Sequence, residues 1–231
     1  MGKLKIKDPG SAITHFIAMI MAVFAAVPLL HRALEKPDHI HVIALGIFIV
    51  TMILLYAAST TYHTVNSTPR INKILKKLDH CMISVMIAGS YTPVCLIVLH
   101  NRTGYLLLSV VWLVALFGIL LKLCWINCPK WVSSILYIVM GWVCLLAFPQ
   151  IIHALSKAAF AWLLAGGLIY TAGGIIYALK VRRFNEKHWM FGTHEIFHLF
   201  VMGGSICHFI VMFQYVSVMP IAEQAVFIQR L

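Results

Sequence analysis

Few ionisable residues of this chain fall inside its apolar stretches, and three short segments hold most of those able to do chemistry. They are Ser59-Thr60-Thr61-Tyr62-His63, Leu78-Asp79-His80 and Gly192-Thr193-His194-Glu195-Ile196-Phe197-His198. Residues four apart on a helix share a face, so His194 and His198 can bind one ion, and Ser59 and His63 can point together. Three neutral imidazoles, from His63, His194 and His198, would leave a fourth tetrahedral position open for water. That is the pattern of a catalytic zinc (Zn2+) rather than a structural one. Asp79 is then placed to orient the water or relay its proton, and Ser59 to hydrogen-bond the water or a developing oxyanion.

The same residues satisfy H-E-x-x-H, in which Glu195 would be the general base of a metalloprotease. Downstream of that motif the only acidic residue is Glu223, so the third ligand must again come from His63, and the two readings differ chiefly in which carboxylate handles the proton. Asp79 is favoured. Structural roles compete at each position: twelve histidines readily produce a His-x3-His pair by accident, a histidine can bridge membrane helices, and Asp79 can stabilise the N-terminus of its helix. Agreement in depth between three separate segments outweighs them, because intramembrane ionisable groups are rare. His31, His39, His41, His100 and His153 fall on outer loops or helix ends. His208 reads as a packing or cavity residue; His15 could support the site from a second layer and His80 could face elsewhere, and neither is assigned a role.

The elements that must position these groups are membrane helices. Of 231 residues, 61% are hydrophobic and 11% charged, against roughly 25% charged in a soluble domain. Seven apolar segments, approximately 11–30, 41–64, 78–99, 104–125, 131–153, 157–179 and 190–216, are each long enough to span about 30 Å of hydrocarbon. The first exceeds a signal-peptide core and lacks a clear cleavage site. The reading is an all-α integral membrane protein, a seven-transmembrane helix bundle in one domain over residues 1–231, multi-pass in the cell membrane. Of the 18 basic residues, thirteen fall before helix 1, at Arg70 to Lys77, at Lys122 and Lys130, and at Lys180 to Lys187, and five lie on the other side. The positive-inside rule then makes the N-terminus cytoplasmic and the C-terminus outside. Helix 2 ends on the cytoplasmic side, where helices 3 and 7 begin, and this gathers His63, Asp79, His194 and His198 into one layer.

The formal charge of +11 sits between apolar runs, so it orients helices; no nucleic-acid partner is expected, and the expected partners are membrane lipids. The six cysteines show no disulfide framework, and Cys124 and Cys128 read as packing residues. Gly166-Gly167 and Gly173-Gly174 place small residues where a neighbouring helix can approach. Asn101-Arg102-Thr103 matches a glycosylation acceptor but carries no functional weight.

Taken together, Ser59-x3-His63, Leu78-Asp79-His80 running on to Ala88-Gly89-Ser90-Tyr91-Thr92-Pro93, and Gly192 to His198 resemble the bacterial hemolysin III family. That family is similar to the progestin and adipoQ receptors, which include the adiponectin receptors, and more distantly to alkaline ceramidases. The resemblance runs from Ala12-Ile13-Thr14-His15 to Gly204-Ser205-Ile206-Cys207-His208. It implies seven helices and a zinc held at His63, His194 and His198, with Ser59 and Asp79 close to the water. The family often has an acidic residue and an asparagine ahead of Thr-His, where this chain has Asp8-Pro9-Gly10-Ser11. The first functional reading is a zinc-dependent membrane hydrolase of a lipid amide or ester, serving membrane lipid homeostasis. The alternatives are a cytolytic pore-forming protein, and a receptor or sensor in which the metal is structural.

Overall fold

A computed structural model of the chain describes residues 6–179 and 191–221. Its helices are α1 (Pro9–Leu34), α2 (His39–Thr64), α3 (Pro69–Pro93), α4 (Arg102–Cys124), α5 (Lys130–Trp142), α6 (Phe148–Ala154), α7 (Lys157–Leu179) and α8 (Thr193–Gln214). Among the described residues there is no strand, and seven stretches are long and apolar enough to cross a membrane, α5 and α6 making one of them. Helices are what apolar runs must form in lipid, where no water satisfies an exposed backbone group.

Helix ends depart from the apolar runs where capping chemistry takes over. α3 begins at Pro69 instead of near 78, because Thr68 accepts from the Ile71 N–H (3.4 Å) and Pro69 starts the first turn. Its lysine-bearing turns thus extend beyond the apolar segment. At its far end Pro93 has no N–H to return to the carbonyl four residues earlier, and the chain widens into a π turn over Val94–Leu99. Asn101 caps α4 by accepting from the Gly104 N–H at 2.9 Å.

The fifth span is not one continuous helix. A 3-10 segment, Val143–Ala147, separates α5 from α6 just ahead of Pro149. Tyr91 of α3 fills the break: its hydroxyl lies 2.5 Å from the Gly141 carbonyl and accepts from the Cys144 N–H at 3.0 Å.

Successive spans pack side by side, and α8 returns to lie against both α1 and α7. The third span is the most buried of the seven, whereas α1, α4 and α7 carry exposed Phe24, Val27, Leu113, Phe117 and Leu168, as lipid-facing surfaces should. Close approach of α7 to α8 depends on small residues. A Cβ at Gly166 would strike His208, one at Gly173 would strike Phe200, and one at Gly204 would strike Tyr170. The paired glycines do not form one stripe, since Gly174 turns instead to Ile138 of α5.

Lys122 differs from its reading as a cation between apolar runs. It is 1% exposed in the last turns of α4, with its ammonium hydrogen-bonded to Ser133 and 3.1 Å from Cys128 Sγ. Burial pushes the Cys128 thiol up, but its bonds to Ser133 and Lys122 outweigh that and hold it below the usual thiol value. All six cysteines are free, Cys124 exposed and Cys128 buried. The basic residues at Lys3 and Lys5, from Lys180 to Lys187 and at Arg230, together with Glu223, lie outside the described residues.

Candidate metal centre

The start of α1, the end of α2, the third turn of α3 and the first turns of α8 meet at one end of the bundle. His63 is the penultimate residue of α2, where Val65 leaves the helix in an extended conformation, and His194 and His198 lie one turn apart at the start of α8. One ring nitrogen from each of the three lies within 4.8 Å of those of the other two. The Nε2 atoms of His63 and His194 are 3.3 Å apart, and His63 and His198 are nearly fully buried. The contact between His63 and His194 can be a hydrogen bond in one tautomer, and the convergence of a third ring nitrogen on the same pair suits a shared cation as well. Among the described residues, the three histidines therefore form a group that could hold a metal ion.

The tautomers fit as well. Nδ1 of His63 donates to the Asp8 carboxylate at 3.0 Å, which leaves its Nε2 lone pair for a metal. The Thr14 hydroxyl, already directed at the Gly10 and Ser11 carbonyls, is 3.3 Å from His198 Nδ1 and can only accept from it. Nε2 of His198 is thereby freed too. The bond from His63 comes first among the causes that hold the Asp8 carboxyl below its ordinary value. Asp8 and Thr14 were not singled out from the sequence. The signal was available: the first polar residues of a helix starting at the same depth as His63 are candidates to orient it.

Glu195 has a different occupation. One carboxylate oxygen accepts from the Gly192 N–H at 2.8 Å, and the other from the Ser11 hydroxyl at 2.5 Å. It caps α8 and ties that helix to α1. Ser11, at the start of α1, thus acts on Glu195. Asp79 lies ten residues inside α3, too far from Pro69 to stabilise the helix N-terminus. It is buried beside Ser59, with one oxygen 3.0 Å from His80 Nδ1. His80 therefore faces Asp79 instead of turning away.

Ser59, Asp79, His80, His194 and His198 line one cavity of about 180 Å³. Its walls continue away from the histidines along Ile83, Ile87, Leu164, Phe160 and Ile151, so a polar end joins a long apolar one. His208 also borders it, but Gly166 of α7 makes room for its ring, in keeping with a packing role. His15, at 3% exposure, stacks face to face on His198 with ring centroids 3.6 Å apart.

A profile of the Haemolysin-III related family matches residues 4–209 of the chain. Hemolysin-3 of Bacillus cereus is 35% identical over 210 residues, covering 91% of this chain and 92% of that protein. The Hemolysin-3 homolog of Bacillus subtilis (strain 168) is 35% identical over 214 residues, covering 93% and 96%. The adiponectin receptor protein of Drosophila melanogaster is 26% identical over 231 aligned positions, covering 87% of this chain and 49% of the receptor.

Proposed function

The chain belongs to the Haemolysin-III related family and is a multi-pass protein of the cell membrane; on that premise we propose that it is a zinc-dependent hydrolase of a lipid amide or ester. The observation that carries the reading is the junction of a three-imidazole cluster with the Asp79 and Ser59 side chains at the polar end of an otherwise apolar cavity. His63, His194 and His198 would hold the zinc. A zinc ion bound there would polarise the scissile carbonyl and bring the pKa of a water toward neutrality.

The protein's own groups supply the rest. Asp79 takes the proton of the attacking water and returns it to the departing nitrogen or oxygen as the acyl C–N or C–O bond breaks, yielding an acid and an amine or alcohol. Ser59 donates to the carbonyl oxygen as negative charge develops there. The apolar walls hold the acyl chain and exclude bulk water. Glu195 is spoken for by Gly192 and Ser11, which supports Asp79 as the proton carrier. With the N-terminus cytoplasmic, the centre lies near the cytoplasmic face and acts in membrane lipid homeostasis.

A second reading rests on the name Hemolysin-3 borne by the Bacillus cereus relative: a membrane-permeabilising protein whose metal is structural. One experiment separates the two. Purified protein should contain about one zinc per chain and release fatty acid from lipid amides or esters in mixed micelles. Asp79→Asn should keep the zinc and lose about a hundredfold or more of the turnover, and His194→Ala with His198→Ala should lose both. Full turnover in Asp79→Asn would sink the mechanism. Liposome leakage unaffected by any of these changes would establish the lytic reading instead.

A further inference from the structure

Among the described residues, His15 and His208 have both ring nitrogens buried without a partner, and of the two only His15 stacks on His198 in the histidine layer. Its ring is 3% exposed and lies parallel to that of His198, 3.6 Å between centroids and 8° between planes, with the edge of Tyr56 against it at 5.1 Å. Both Nδ1 and Nε2 are buried without a hydrogen-bond partner, and the residue lines the cavity beside Ser59 and Asp79. A neutral imidazole carries one donor and one acceptor. Leaving such a group unsatisfied costs about 1–3 kcal/mol, and buried polar groups are otherwise almost always paired. Metal ligation does not account for it, because His15 stands outside the three-histidine group. Its packing contacts, a stacked ring and a ring edge, would be served equally well by phenylalanine.

We propose that His15 is a ligand-binding residue whose N–H donates to the carboxyl or carbonyl oxygen of an acyl lipid seated in this cavity. Resting on the hydrolase reading above, the proposal adds a group that grips the acyl head beside the proton carrier Asp79. The stacking explains how it stays in place: the ring is held by the face of His198 and the edge of Tyr56 without needing a protein partner for its nitrogens. The cavity's apolar length takes the chain, and His15 fixes how far the head enters.

The test uses dodecanoic acid labelled with 13C at its carboxyl carbon, the product type common to amide and ester hydrolysis. It is titrated into full-length protein in detergent, zinc-loaded and after chelation. His15→Phe keeps the flat ring and removes both nitrogens, while His15→Gln restores an N–H without the ring. The expected results for His15→Phe are unchanged zinc content, dodecanoate binding weakened about tenfold or more in both metal states, and loss of the carboxyl shift induced by the wild-type site. His15→Gln should recover part of the affinity and part of the shift.

Wild-type affinity and carboxyl shift in His15→Phe would overturn the proposal, as would absence of dodecanoate binding to the wild type. Loss of zinc from His15→Phe with binding of the chelated form unchanged would also overturn it, assigning His15 to the support of His198. Binding that depends on His15 in a protein that hydrolyses no lipid amide or ester would retain this site and reject the hydrolase reading alone.

Discussion

Each imidazole at the histidine layer has two nitrogens, and which one is free depends on what the other touches. Asp8 settles this for His63, and Thr14 for His198, so the residue before α1 and one in its second turn select the tautomers of candidate ligands on α2 and α8. Partners of this kind typically account for 10–100-fold in metal affinity. Asp8→Ala should therefore lower zinc retention against a chelator such as EDTA by about that factor while the helical circular dichroism stays intact. Unchanged zinc affinity would mean that His63 needs no partner to ligate. The contrast with Glu195 is instructive: in the sequence it is the carboxylate nearest the His-x3-His pair, but both of its oxygens are engaged by Gly192 and Ser11. Adjacency along a helix does not aim a side chain at its neighbour's ligand.

At the level of elements, the break between α5 and α6 shapes the cavity wall, since Trp142, Cys144 and Phe148 all border it. A broken helix in lipid leaves backbone groups without partners, and Tyr91 supplies one hydroxyl to both sides of the gap. Tyr91→Phe removes the hydroxyl that the Cys144 N–H donates to and leaves the Gly141 carbonyl only the Cys144 thiol at 3.6 Å, at a cost of about 1–3 kcal/mol. The expected outcome is a thermal midpoint in detergent lowered by several degrees, with zinc content retained, measured by scanning fluorimetry alongside metal analysis. A midpoint equal to that of the wild type would show that the broken span satisfies itself. The break was not legible as such. Residues 131–153 read as one apolar run, and Pro149 was the only local sign that the helix could not be continuous.

For the whole molecule, the distribution of basic residues bears on which way the bundle faces. Thirteen of the eighteen basic residues fall on the side of the histidine layer by chain order, which favours a cytoplasmic N-terminus and an external C-terminus. Lys122 weakens that asymmetry by one, because its charge is buried among Ser133 and Cys128 and does not face the surface. A phosphatase reporter active only outside the membrane should be active when fused after Leu231 and silent when inserted between α2 and α3. The reverse pattern would place the candidate metal centre on the outer face.

Sequence alone was enough for the seven spans, because lipid leaves an apolar stretch of some twenty residues little choice but a helix. It was enough also for bringing His63, Asp79, His194 and His198 to one depth, since short connections between spans make depth a matter of counting. What depth does not contain is direction. Whether Asp79 faces the cavity, that Glu195 turns back onto its own helix start, that Asp8 and Thr14 reach across from α1, and that His15 stacks on His198 with its nitrogens unpaired were decided only by helix rotation and packing. Those depend on contacts between residues as far apart as 14 and 198, which no local spacing encodes. The three-histidine site was thus visible as a layer before it was visible as a geometry.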